Sequence, residues 1–152
     1  MHIECVNFTD PRTGHKVTIL DTPGFNDSAI SDTDILKMIT DFLLNQYGAN
    51  RKLNGIVYLQ RISDPRFGGL NRRTLRMLKK LCGTDRYTNI VVLTTFWDIL
   101  SKQEGEERER HIRNNFFREL LEGGAAYMRH DREYTVTGQR VVDRCLNYEG
   151  GA

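Results

Sequence analysis

Two short and almost uninterrupted apolar runs constrain the fold of this chain more than any other feature. Residues 55–59 read GIVYL, and residues 90–93 read IVVL. Runs of this length and composition are typical of strands buried on both faces of a parallel sheet. Because parallel strands need long crossovers, usually helical ones, the two runs predict an α/β domain.

Helical patterns alternate with these strands along the chain. The first helix is predicted to begin at Ser31, a hydroxyl N-cap with an acid three residues later, and to end at Gly48. The remaining elements are a second helix, a third helix, a short strand and a final helix, at residues 75–82, 112–121, 126–129 and 141–146. This order predicts a three-layer α/β fold, with helices on both faces of a mostly parallel sheet.

The chain opens with a predicted hairpin. Residues 2–9 and 17–20 have strand composition, and residues 10–14 (DPRTG) between them have turn chemistry. A connection this short forces the two strands to run antiparallel. With 152 residues, the chain suits a single domain that spans residues 1–152.

Composition argues against several classes of function. The formal net charge is +2, which is too small to favour nucleic acid as a partner. No apolar run approaches the roughly 20 residues that cross a bilayer, and residues 1–5 lack the character of a signal peptide. The three widely spaced cysteines, Cys5, Cys82 and Cys145, are typical of a reducing compartment. We therefore expect a cytoplasmic protein without a nucleic-acid or membrane partner.

An acid and a tight turn follow the second strand of the hairpin. Residues 17–20 run directly into Asp21, Thr22, Pro23 and Gly24. In nucleotide-binding α/β folds, an acid at the carboxyl end of such a strand organises Mg²⁺, and a glycine just beyond it lets a backbone N–H approach a terminal phosphate. The alternative is an ordinary strand-to-loop turn, because short motifs recur by chance.

A second polar cluster, residues 94–98 (TTFWD), follows the other buried run. A carboxylate at Asp98 can accept two hydrogen bonds from the N1–H and the exocyclic amine of guanine, whereas adenine presents the opposite pattern at that edge. Phe96 and Trp97 offer flat apolar surface beside a base. The alternative is that Asp98 caps the following helix and that the two aromatic residues belong to the core.

Together these motifs resemble the guanine-nucleotide-binding domains of the P-loop GTPases, and among them the fungal G-domain proteins grouped near the immune-associated (AIG1-type) GTPases. Residues 21–24 (DTPG) are similar to the third G motif of that family, whose Asp holds Mg²⁺ through water and whose Gly senses the γ-phosphate. Residues 95–98 (TFWD) are similar to its base-reading motif. The segments GIVYLQRISD, GG and LCG, at residues 55–64, 68–69 and 81–83, carry the most specific resemblance to the fungal group.

This resemblance implies GTP or GDP as ligands, Mg²⁺ as cofactor, slow GTP hydrolysis in the complete protein, and a homodimer or a protein partner. The implied nucleotide-binding residues are Asp21, Thr22, Pro23, Gly24, Thr95, Asp98, Thr137 and Gly138, with Asp21 as the water-mediated metal ligand. Thr137 and Gly138 lie in a predicted loop and approximate a Ser-Ala pair that contacts the base. No catalytic residue follows, because Phe25 stands where many GTPases carry a glutamine that positions water.

Two further departures from the family pattern qualify this interpretation. No G-x-x-x-x-G-K-[ST] loop occurs in the sequence, and that loop supplies a backbone N–H cradle for phosphates. Phe96 replaces the lysine that packs over the base. One reading is an amino-terminally incomplete G domain that lacks the first strand, the phosphate loop and the first helix, so that this chain alone is inactive. The other is a degenerate, nucleotide-free interaction module of the same shape. Both leave residues 17–20 and 55–59 without a central strand partner.

Overall fold

The structure is a computed structural model that describes residues 2–24, 30–49, 53–64, 76–77, 79–81, 86–130 and 134–146, with residues 134–137 described by their backbone alone. Contacts divide the chain into two compact units, residues 1–51 and residues 52–152. Each unit has its own sheet. The interpretation of the whole chain as one domain stays a prediction.

The first sheet is the predicted antiparallel hairpin. Strand β1 spans Glu4–Thr9 and strand β2 spans Lys16–Asp21, in a register that pairs Glu4 with Asp21. The buried Asp10 closes the turn, because its carboxylate accepts the Arg12 backbone N–H at 3.0 Å and the Arg12 guanidinium at 3.1 Å. These hydrogen bonds lower the pKa of Asp10. The turn thereby fixes the strand register.

Helix α1 spans Asp32–Tyr47 and begins and ends where the sequence predicts. The Ser31 hydroxyl accepts the backbone N–H of Asp34 at 3.1 Å, which satisfies one of the free donors at the helix start. Gly48, with φ +86°, ends the helix and donates its N–H to the Leu44 carbonyl. One face of α1 is buried through Ile35, Leu36, Ile39 and Leu43.

The second sheet is parallel and has β4 at its centre. Strand β3 spans Ile56–Arg61, β4 spans Ile90–Thr95 and β5 spans Ala126–Arg129, in the order β3-β4-β5. The prediction of full burial is confirmed for β4, where residues 90–94 are all buried. It is wrong for β3, in which Val57 is 39% and Leu59 64% exposed. Among the described residues β3 pairs with β4 alone, and the face that carries Val57 and Leu59 is partly exposed to solvent.

The predicted third helix is two helices. Helix α2 spans Lys102–Asn114 and helix α3 spans Arg118–Glu122. The break lies at Asn115, whose backbone N–H and side-chain amide both donate to the His111 carbonyl, at 3.1 and 2.9 Å. An asparagine side chain that competes for a backbone acceptor is a common reason for a helix to end. Helix α2 begins earlier than the apolar pattern predicts, because the Ser101 hydroxyl caps it.

A final helix, α4, spans Tyr134–Cys145 and packs against β4 and β5. It begins well before the predicted final helix. Residues 76–77 and 79–81 are helical, in agreement with the predicted second helix, whose other residues lie outside the described part of the chain. Among the helices of the described part, none is long and apolar enough to pass through a lipid bilayer.

Candidate functional site

Residues 94–98 lie at the carboxyl end of β4, the edge of a parallel sheet where α/β proteins bind ligands. Thr94 is completely buried, and its hydroxyl accepts the indole N–H of Trp97 at 3.0 Å. The same hydroxyl lies 3.2 Å from the Tyr127 hydroxyl on β5. Tyr127 donates its proton to the Glu109 carboxylate at 2.7 Å, and the Thr94 hydroxyl donates to the Met128 carbonyl at 3.3 Å.

Glu109 on α2 joins this chain of hydrogen bonds to the end of β5. Its two carboxylate oxygens accept hydrogen bonds from Nε and Nη2 of Arg129, at 2.7 and 2.5 Å. Burial of Glu109, whose side chain is 13% exposed, raises its pKa, but the hydrogen bonds from Arg129 and Tyr127 outweigh burial and the net pKa is lowered. Burial is also the main reason why the pKa of Tyr127 is raised. The carboxylate is therefore charged near neutral pH and the phenol is protonated.

The arrangement closes on itself through Trp97. The guanidinium carbon of Arg129 lies 4.3 Å from the centroid of the Trp97 ring, in cation–π geometry. We call the five residues of this closed set, Thr94, Trp97, Glu109, Tyr127 and Arg129, the Glu109 network. Gly105 lies beside the indole, since a Cβ there would come within 2.8 Å of a Trp97 ring carbon. Trp97 thus anchors the loop, with one face of its ring covered.

Phe96 and Asp98, on either side of this anchor, are exposed. Asp98 lies in a short 3-10 helix, Trp97–Ile99. The alternative in which Asp98 caps the following helix is wrong, because Ser101 caps α2. Phe96 is 42% exposed and has the left-handed backbone angles φ 60° and ψ 38°. The loop therefore presents a carboxylate and an aromatic ring to solvent, while Trp97 between them is held by the buried Thr94.

Asp21 lies in the other compact unit, as the last residue of β2, and it is exposed. Thr22 and Pro23 are half-buried and Gly24 is exposed, while Phe25 lies outside the described residues. No three His, Cys, Asp or Glu side chains of the described ranges come together as a metal-binding group. A lone carboxylate fits Mg²⁺, which keeps several waters and takes phosphate oxygens as ligands. Asp21 would hold the ion through water.

Thr137 and Gly138 do not lie in a loop. Both belong to α4, so the predicted loop after β5 is wrong at these two positions. Tertiary packing explains the difference, because β-branched residues such as Thr137 disfavour a helix only weakly and α4 packs on β4 and β5. Gly138 is exposed, and a Cβ there would meet no atom within 4 Å.

Sequence reasoning missed the residues that hold the loop at residues 94–98 in place. Glu109 lies in a segment dense in alternating charges, which reads as a solvated helix face. Tyr127 and Arg129 stand two apart in a short strand, so their side chains point to one face of the sheet. That spacing was the available signal, but nothing in the sequence connects it to a residue on α2.

Solved structures of GTPases have a similar fold. A dimerization-deficient mutant of Toc33 from Arabidopsis thaliana superimposes with a TM-score of 0.63 and 14% sequence identity, over 97% of this chain and 70% of that one. A second structure comes from work showing that dimerization is important for the GTPase activity of the chloroplast translocon components atToc33 and psToc159. It superimposes with a TM-score of 0.59 and 16% sequence identity, over 96% of this chain and 69% of that one. No family model and no curated protein matches the chain. The likeness shows a mixed α/β, G-domain-like fold with a parallel sheet and an antiparallel hairpin.

Proposed function

We propose that this chain binds the guanine nucleotides GTP and GDP together with Mg²⁺. The observation that carries the proposal is the position of Asp98, which is exposed beside the anchored Trp97 at the carboxyl end of the central strand of a G-domain-like fold. A carboxylate fixed there accepts two hydrogen bonds from guanine and repels the N1 acceptor of adenine. Thr95 is the last residue of β4 and would contact the nucleotide beside Asp98.

The residues after β2 would bind the phosphates and the metal. Asp21 would hold Mg²⁺ through water, and the ion would neutralise negative charge on the phosphates. The backbone N–H of Gly24 would approach the γ-phosphate, since glycine has no Cβ in the way. Thr22 and Pro23 would shape the turn between them.

Hydrolysis of GTP would be slow and would depend on a second protein. Phe25 carries no group that can orient a water molecule, so hydrolysis would need another group or a partner. For the chloroplast translocon components with the similar fold, dimerization is important for GTPase activity. We propose that a second copy of this chain, or another partner, completes the site here as well.

A second candidate function is a nucleotide-free module that binds another protein. The observation that favours it is the lack of any G-x-x-x-x-G-K-[ST] sequence, because that loop makes the main contacts with phosphates. Binding of GDP by this chain with a preference for guanine contradicts the second candidate. Absence of binding at millimolar GDP and Mg²⁺ supports it.

The experiment that tests base recognition is the substitution Asp98→Asn. In competition against a fluorescent GDP, we expect the unsubstituted chain to prefer GTP over xanthosine triphosphate and the variant to reverse that order. The asparagine amide donates to the C2 carbonyl of xanthine but meets the amine of guanine. Glu122→Gln is the matched control, since Glu122 is an exposed acid on α3. An unchanged preference in the Asp98→Asn variant contradicts the assignment.

A further inference from the structure

Arg61 and Phe96 form an exposed pair beside Asp98 that the proposed function leaves without a role. Arg61 is the last residue of β3, and Phe96 follows the last residue of β4. The parallel register pairs Arg61 with Thr95, and the backbone N–H of Ile62 donates to the Thr95 carbonyl at 2.9 Å. The end of β3 and the base-reading loop are therefore held together at one edge of the sheet.

The backbone of Phe96 is strained, and its ring is exposed. Within the described part of the chain, Phe96 is the one non-glycine residue with a positive φ. A left-handed conformation costs free energy for a bulky residue and occurs mostly at asparagine, aspartate or glycine. Such strain concentrates at ligand-binding sites, where the surroundings hold it in place. Here the anchored Trp97 follows directly, which fixes the chain on that side.

The guanidinium of Arg61 stacks over the Phe96 ring, with its carbon 4.5 Å from the ring centroid. This geometry is a cation–π contact. A guanidinium is itself planar and stacks on nucleic-acid bases as aromatic rings do. Both residues are exposed, so the pair presents flat surface to solvent next to a carboxylate that fits guanine. The flat surface of the pair matches the face of a purine ring, and the nearby Asp98 carboxylate matches the hydrogen-bonding edge of guanine.

We propose that Arg61 and Phe96 together are the stacking platform for the guanine base, while Asp98 reads its edge. The inference rests on the proposed function and deepens it. Phe96 occupies the position of the lysine that packs over the base in the family that the sequence resembles. Arg61 on β3 supplies the positive charge that this lysine would otherwise carry. The platform also gives a chemical role to Arg61, which belongs to the segment at residues 55–64 that carries the resemblance to the fungal group.

Guanosine is the probe that separates this platform from phosphate contacts, because it carries the base and no phosphate. Trp97 is the only tryptophan of the sequence, so its indole N–H resonance in an ¹H–¹⁵N spectrum reports on the loop alone. We expect Arg61→Ala to weaken guanosine binding about tenfold, and Arg61→Lys to restore part of the loss. If Arg61→Ala weakens GDP binding but leaves guanosine binding unchanged, Arg61 contacts phosphate and the platform is overturned.

Phe96→Asn removes the ring without forcing the backbone out of its conformation, since asparagine tolerates the left-handed region. We expect this variant to lose about tenfold in guanosine affinity while it keeps its fold, judged by its urea midpoint. The double variant with Arg61→Ala should be little weaker than either single variant, because removal of one partner already breaks the stack. Additive losses would contradict a joint platform.

Lys79→Ala is the matched control. Lys79 makes a cation–π contact with Tyr87, at 4.9 Å, and Tyr87 precedes the amino end of β4. The control should leave guanosine affinity unchanged. If the unsubstituted chain binds neither guanosine nor GDP at millimolar concentration, the proposed function fails and the platform with it. If the chain binds guanosine and the Arg61→Ala variant binds it equally well, the platform alone fails.

Discussion

The ends of β4 and β2 each carry one of the two predicted nucleotide-binding motifs, and the structure builds the two motifs in different ways. β4 is buried from residue 90 to residue 94, and the loop after it is anchored by the Glu109 network. β2 is exposed at most positions, and the turn that closes its hairpin through Asp10 and Arg12 lies at the opposite end of the strand from Asp21.

This difference indicates which of the two motifs is preorganised. The Glu109 network holds the loop through Trp97, because movement of Trp97 would break its hydrogen bond to the buried Thr94 and its contact with Arg129. An exposed carboxylate at a strand end has no such constraint, and the ligand itself can set its position. We therefore expect substitutions that destabilise residues 52–152 to weaken base recognition. Substitution of Asp21 should weaken metal binding and change the free energy of unfolding little.

The largest effect is expected from Glu109→Ala. The substitution removes the acceptor of three hydrogen bonds and leaves Arg129 without its carboxylate, so the free energy of unfolding should fall by about 2–3 kcal/mol. Urea unfolding followed by Trp97 fluorescence measures it. The matched control is Glu122→Ala, which breaks an Arg–Glu pair that is 67% exposed at Glu122 and should cost less than about 0.5 kcal/mol. Equal losses in the two variants would contradict the account of the Glu109 network.

The next effect is expected from Gly105→Ala, which tests the anchor itself. The new methyl group would press on the Trp97 ring, which Arg129 and Thr94 hold in place, so we expect a loss of about 1–2 kcal/mol. Gly138→Ala on α4 is the opposite case, because a Cβ there meets open space. It should stabilise by about 0.5–1 kcal/mol through helix propensity. A stabilised Gly105→Ala variant would show that Trp97 is free to move.

The pH dependence of stability should carry the signature of Glu109. Its pKa in the folded state lies below the usual 4.5, so its contribution is complete above pH 4.5 and is lost as the pH falls through the folded-state pKa. The difference in unfolding free energy between the unsubstituted chain and Glu109→Gln should therefore shrink in acid. Urea titrations at pH 7 and below pH 4.5 measure this difference. A constant difference would mean that the charge of Glu109 adds nothing to the network.

The smallest effect on stability is expected from Asp21→Asn, within about 0.5 kcal/mol, because Asp21 is exposed. Its effect on the ligand should be large by comparison. If Asp21 holds Mg²⁺ through water, Mg²⁺ should strengthen GTP binding by the unsubstituted chain and should no longer do so in the variant. Titrations with and without Mg²⁺ provide the measurement, and an undiminished Mg²⁺ effect in Asp21→Asn would remove Asp21 from the metal site.

Local chemistry made much of the fold predictable from the sequence. The hairpin follows from its turn residues, α1 from the cap at Ser31 and the glycine at Gly48, and the burial of β4 from its apolar run. The exposure of Val57 on β3 was not predictable in the same way. A run of apolar residues shows what a strand can bury, but which neighbours cover it is a property of the whole fold.

The candidate site was predictable only where its motifs are contiguous in sequence. Asp98 follows directly from its place after a buried run. The network that holds its loop joins α2 to two strands, and Glu109 contributes through contacts between residues 18 to 20 apart in sequence, which no local pattern encodes. The helical placement of Thr137 was missed because packing decides it, and packing overrides the weak preference of β-branched residues for extended structure.

The most direct test of the central claim is a titration of the Trp97 indole N–H resonance with GDP and, separately, with ADP, both in the presence of Mg²⁺. If Asp98 reads guanine beside the anchored Trp97, GDP should shift the resonance to saturation, and ADP at the same concentration should leave it in place. A resonance that neither nucleotide shifts, or that both shift equally, would contradict guanine recognition by this loop.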